Sequence, residues 1–96
     1  MRPSEALRIH RAEVLTAVAR RRTVNPRVFG SVARGEDTEQ SDIDILVDPL
    51  PACGIFDLNG LRQELEEVLG VPVSLVSARA LRGRMRDAVL SEARPL

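Results

Sequence analysis

Two aspartates separated by one isoleucine, Asp42-Ile43-Asp44, are the residues best suited to chemistry in this chain. Ile43, Ile45, Leu46 and Val47 are β-branched or apolar, so Asp42–Val47 predicts a buried strand. Alternation along a strand puts Asp42 and Asp44 on one face, about 6–7 Å apart. Two carboxylates that close repel each other and are costly to bury, and a divalent cation relieves both problems. Upstream stands a second pair, Gly30-Ser31, with ten residues (Val32 to Ser41) between it and Asp42. Glycine lets backbone approach a ligand closely, and free N–H groups at a helix start attract phosphate. Ser31 adds a hydroxyl donor. A phosphate cradle on one strand beside a metal-binding carboxylate pair on the next is what a nucleoside triphosphate needs.

Other chemistries fit less well. Asp48 shares the face of Asp42 and Asp44 but lies about 13 Å beyond Asp44 in an extended strand, too far for the same metal. An EF-hand loop would need polar residues and a glycine at its sixth position, where Val47 stands. The Walker A pattern is absent because the chain contains no lysine. A catalytic or metal role for His10 would need a set of His, Cys or acidic residues at matching spacing, which is not evident, so it reads as a partly buried structural residue.

The elements that must position these residues follow from pattern. Residues 4–22 predict a first helix with Ser4 as N-cap, Leu7, Val14 and Val18 on one face and Leu15 beside them. Arg20-Arg21-Arg22 complement the negative end of its dipole. Thr23–Pro26 reads as a turn, Val28-Phe29 as the end of a first strand, and Ser31–Arg34 as a short helix stopped by Gly35. After the aspartate strand and a loop of breakers from Pro49 to Gly54, a helix is expected over Phe56–Leu69, capped by Gly70. Val71–Val76 reads as a third strand and Ala78–Ala93 as a last helix, with Ser77 at its start. The expectation is one small α/β domain over 1–96, a three-stranded mixed sheet with about four helices.

Composition narrows the function classes. A chain of 96 residues makes one domain that buries roughly 60–65% of its unfolded surface. Trp and Tyr are absent, so the core must be aliphatic. Formal net charge is zero, so no global field draws the chain to nucleic acid or membrane. The charge is uneven: residues 1–35 carry eight Arg against two Glu, and residues 36–67 carry ten acids against one Arg. The acidic middle suits metal binding. Cys53 is alone, so no internal disulfide can form. The N-terminus is charged and amphipathic and no stretch reaches the length of a membrane span, so a cytoplasmic protein is expected.

The pattern Gly30-Ser31, ten residues, Asp42-x-Asp44 resembles the signature of the DNA-polymerase-β-like nucleotidyltransferase superfamily. The surrounding words GSVARGED and SDIDILVD resemble its smallest members, the minimal nucleotidyltransferases (MNT) of prokaryotes, over about Pro3 to Leu90. The resemblance implies the polymerase-β-like fold, a Gly-Ser turn holding the triphosphate, and Mg²⁺ bound by Asp42 and Asp44. It also implies a third carboxylate on the neighbouring strand. Here the matching phrase is Val73-Ser74-Leu75-Val76, so Ser74 stands at the catalytic position that a carboxylate usually fills.

Three readings follow, the first two from that resemblance and the third from the residues alone. The first is transfer of a nucleoside monophosphate, AMP from ATP, to a protein hydroxyl. Gly30, Ser31 and Arg34 would serve the phosphates, and the acceptor would be the HEPN-domain toxin that such small transferases accompany as antitoxins. The second is a pseudoenzyme, weakened by Ser74, that binds and masks the same partner. The third, a nucleic-acid-binding regulator using the Arg-rich first helix, is disfavoured by zero net charge and the lack of stacking aromatics.

Overall fold

The computed structural model describes residues 1–96. Its elements are α1 (Pro3–Ile9), α2 (Arg11–Arg20), β1 (Thr23–Phe29), α3 (Gly30–Arg34), β2 (Ile43–Pro49), α4 (Ile55–Leu69), β3 (Val73–Ser77), α5 (Gly83–Glu92) and β4 (Arg94–Pro95). A single 3₁₀ turn, Ala78–Ala80, follows β3. β2 lies inside the sheet, whose strand order is β3-β2-β1-β4. Its run of apolar residues suits that place, since Ile43, Ile45, Leu46 and Val47 are all wholly buried. β2 runs antiparallel to β1 and parallel to β3, and α4 makes the crossover that parallel neighbours require.

Ile43, Ile45 and Val47 project from one face of β2 into the core. They meet Val14, Ala17 and Val18 of α2, Leu61, Leu65 and Leu69 of α4, and Ala6 and Leu7 of α1. Each buried Leu side chain contributes about 1.5–3 kcal/mol relative to exposure. Alternation turns Asp44 and Asp48 to the opposite face, away from this helical layer. The core therefore fixes the direction of the aspartates.

The mixed sheet and the helical layer match expectation, with differences in detail. The sheet has four strands, because Arg94 and Pro95 pair with Val28 and Arg27 on the outer edge of β1. The expected first helix is two helices meeting at His10. Its first residue is Pro3 and its N-cap Arg2, with Ser4 inside it. A proline suits a first helical turn because that N–H has no intrahelical partner. His10 sits at the junction, half-buried, with Nδ1 2.7 Å from Glu13 Oε1.

Thr23–Pro26 is the opening of β1 and not a turn. The chain absorbs Pro26, which has no N–H, through a register shift between Val24 and Arg27, with Asn25 at φ 55. The Asn25 side-chain amide donates to Asp48 at 3.0 Å across the irregularity. The expected last helix is also divided: Ser77 Oγ accepts from the Arg79 N–H at 3.3 Å to start the 3₁₀ turn, and α5 begins only at Gly83. The three arginines ending α2 and the turn after it face α4. Arg20 and Arg21 pair with Glu64, and Arg22 with Asp57.

Candidate active site

The site begins where β1 runs out. Gly30 takes φ +71, and Gly35 ends α3 at φ +73, both in the left-handed region that favours glycine. Phe29 pairs with Asp44 in the antiparallel ladder, which brings the turn against the aspartate strand. A Cβ built on Gly30 would run into the Asp44 carboxylate, with Asp44 Cγ only 3.1 Å away. At Gly35 a Cβ would meet nothing within 4 Å. Gly30 is thus required twice, by its backbone and by the space the aspartate needs.

Asp42 lies one residue before β2 and is exposed, so the strand starts later than its expected beginning at Asp42. Asp44 lies within the strand and is half-buried. Burial raises the Asp44 carboxyl above the usual carboxylate range, and the negative charges of Asp42 and Glu92 push it the same way. Arg34 offsets part of this. A carboxylate crowded by like charge in this way is set up to receive a cation. Asp44 and Ser74 are direct Cα partners in the parallel β2–β3 ladder, and Ser74 is exposed. In-register partners on neighbouring strands share a face, so Ser74 and Asp44 point the same way.

Arg34, at the end of α3, reaches two acids. Its Nη1 donates to both oxygens of Glu92, at 3.3 and 3.1 Å, and its Nε donates to Glu36 at 3.3 Å. The Gly30 N–H donates to Glu92 Oε1 at 2.7 Å. That bond, then the bond from Arg34, holds the Glu92 carboxyl below its usual range. Glu92 was not expected at this site. It is the last residue of a helix with no motif of its own, 48 residues beyond Asp44, and no spacing in the sequence signals it.

Asp48, as expected, stands apart from the pair: Arg27 holds it at 3.1 Å. The Cys53 thiol is pushed up by burial and by Asp57, which leaves it a poor nucleophile. No three His, Cys, Asp or Glu side chains come together as a metal cage. Two shallow depressions of about 280 and 340 Å³ run along α2 and α4, and neither is lined by Asp44. The candidate site is instead an open face. Its two carboxylates are of the type that ligates a divalent cation, while the Gly30 N–H and the Arg34 guanidinium, both now on Glu92, are of the type that binds phosphate oxygens.

The family model for the nucleotidyltransferase domain matches residues 11–96. A protein of Methanocaldococcus jannaschii named as a protein adenylyltransferase is 44% identical over 66 residues, covering 69% of this chain and 71% of its own. The protein adenylyltransferase MntA of Thermococcus cleftensis is 42% identical over 65 residues, covering 68% of this chain and 66% of its own. Other curated relatives from M. jannaschii are matched over less than two thirds of their length, from 55% to 63%. A solved structure described as a minimal nucleotidyltransferase superimposes with a TM-score of 0.88 at 48% identity, covering 97% of this chain and 95% of the other. A toxin–antitoxin structure with AMP-PNP shares the fold at a TM-score of 0.75 and 22% identity, covering 88% of this chain and 69% of its own. On the matched model, the identities and the shared architecture, the chain belongs to the nucleotidyltransferase domain family, among its minimal nucleotidyltransferases.

Proposed function

We propose that this chain is one minimal nucleotidyltransferase domain over 1–96, a cytoplasmic antitoxin that transfers AMP from Mg-ATP to a hydroxyl of a HEPN-domain toxin. The observation that supports this reading is the close approach of Gly30 to Asp44, which puts the backbone we assign to phosphate directly against the carboxylate we assign to the cation. The names of the relatives support the transferred group and the partner: protein adenylyltransferases in the curated set, and a complex called MntA-HepT among the structural neighbours.

In this reading the acceptor hydroxyl oxygen attacks the α-phosphorus and loses its proton to water, the bond from that phosphorus to its bridging oxygen breaks, and pyrophosphate leaves. Bound Mg²⁺, held by Asp42 and Asp44 with the phosphates, would neutralise charge on the oxygens that gain it. Gly30 contributes its N–H to the departing phosphates and Ser31 its hydroxyl. Arg34, which already binds a carboxylate, supplies positive charge to the same oxyanions. The open face of the sheet leaves room for a folded protein as acceptor. Calorimetry of Mg-ATP binding by wild type and the Asp42→Ala/Asp44→Ala double variant tests the site. Binding should be lost in the variant, and unchanged affinity would remove the aspartates from it.

One observation favours a second reading, a pseudoenzyme that binds the toxin and masks it. The direct neighbour of Asp44 on β3 is Ser74, an uncharged hydroxyl where the family resemblance implies a third carboxylate. A serine is a weak cation ligand and a poor base, so removal of the acceptor proton would be slow while nucleotide binding survived. Single-turnover transfer of labelled AMP to a co-expressed HEPN partner separates the two readings. A stable complex without transfer would favour masking, and separate elution of the two proteins in gel filtration at micromolar concentration would remove the partner.

A further inference from the structure

The Glu92 carboxylate sits on the two groups that the proposed function gives to phosphate. Its Oε1 accepts the Gly30 N–H at 2.7 Å, and both of its oxygens accept from Arg34 Nη1. A carboxylate and a phosphate ask the same thing of a guanidinium and an amide, namely charge-assisted hydrogen bonds to oxygen. The Gly30 N–H has one hydrogen, so it cannot serve both at full strength. Glu92 also faces the Asp44 carboxylate's charge, which opposes its presence there. The two donors outweigh that repulsion only while nothing stronger claims them.

The element that carries Glu92 is lightly held. α5 buries none of its residues and packs against α3. Beyond Glu92 the chain is fixed by the two-residue β4, by the Leu96 N–H to the Pro26 carbonyl at 3.2 Å, and by Arg11 to the Leu96 carbonyl at 2.8 Å. The Glu92 side chain is therefore one of the main ties between α5 and the site.

We propose that Glu92 is an internal latch: its carboxylate occupies the phosphate cradle in the nucleotide-free chain, and an incoming nucleoside triphosphate displaces it and releases α5 from α3. This rests on the reading of Gly30 and Arg34 as phosphate-binding groups. The latch makes the chain compete with its own substrate, so apparent affinity is reduced by the fraction of molecules in which the cradle is filled. It also gives the surface of α5 two states, tied when the site is empty and loose when it is full.

The test uses the full chain and the magnesium complex of a non-hydrolysable ATP analogue. Affinity is measured for wild type, Glu92→Gln, Glu92→Ala and, as a control for charge on the same helix, Asp87→Asn. Circular dichroism establishes that each variant is folded. Both Glu92 variants should bind about five- to tenfold more tightly, the range expected when a competing charge-assisted contact is removed. Asp87→Asn should bind as wild type does. Amide exchange in α5 of the wild type should quicken on saturation with the analogue. Equal affinity in wild type and Glu92 variants, or weaker binding in the variants, overturns the latch and leaves the nucleotide site standing. Unchanged exchange in saturated wild type overturns it without recourse to any variant. Absence of binding in all four proteins overturns both the latch and the nucleotide reading beneath it.

Discussion

Gly30 and Asp44 are in such close contact that a methyl group on the glycine would overlap the aspartate carboxylate. The same glycine holds a positive φ, so Gly30→Ala suffers twice. The left-handed conformation costs about 1–2 kcal/mol and the forced displacement about 1–3 kcal/mol more. Gly35→Ala shares the backbone penalty and meets no neighbour, so it should cost only the first part. Urea denaturation of the two variants measures the difference. Equal losses would show that the Asp44 contact carries no energy.

Asp44→Asn should make the metal-free protein more stable at neutral pH, read as a raised Tm. The carboxylate is half-buried beside Asp42 and Glu92, and the amide removes that repulsion while keeping the shape. The same substitution should abolish magnesium-dependent nucleotide binding. A lower Tm in the variant would mean that Asp44 helps the fold in a way its electrostatics do not express.

Asp37 offers a pH-dependent measurement away from the site. Its Oδ2 accepts the Ser4 N–H at 2.9 Å, which caps α1 from a distant loop. Burial alone would raise this carboxyl, but the hydrogen bonds from Ser4, one from its own backbone and the charge of Arg2 together outweigh burial and hold it below the ordinary 3.8. A depressed carboxyl adds stability that is complete above the ordinary value and is lost as pH falls through the folded one. Asp37→Ala should cost about 1–2 kcal/mol at pH 7, and that difference should shrink in acid below 3.8. A difference that holds constant into strong acid would show that the charge plays no part in the cap.

Ser74→Asp should raise single-turnover AMP transfer by at least about 10²-fold, the usual value of one well-placed acid–base or electrostatic group. The register puts the new carboxylate directly beside Asp44. Mass spectrometry of the HEPN partner reads the product. Equal and fast transfer by both proteins would show that another residue supplies the function.

Much of this could be read from residue order, and the failures have physical causes. The aspartate strand and α4 were legible because their apolar patterns coincide with burial: Ile43, Ile45 and Val47 on one side, Leu61 and Leu65 on the other. The break at His10 was hidden because Leu7 and Val14 keep a helical spacing across it, and both are buried. Asn25-Pro26 did disrupt the backbone as its residue types imply. Pairing with β2 nonetheless continued past the disruption, a tertiary effect that local signals do not contain. β4 and the Glu92 contact depend on where the chain's end folds back, and two residues of strand carry no readable period.

The loop contact at Asp37 has a consequence for length. The ten residues between Ser31 and Asp42 are tied along their course: the Glu36 N–H to the Ser31 carbonyl, Asp37 to α1, and Thr38 and Ser41 to each other through three bonds. The segment behaves as a ruler with a pin near its middle. One residue inserted before Asp37 must unseat either the pin or α3, whereas one inserted at Gln40 strains only the small turn from Thr38 to Ser41. The distance between cradle and aspartates is thus set by anchorage to the first helix, and tolerance to insertion should change sharply on crossing Asp37.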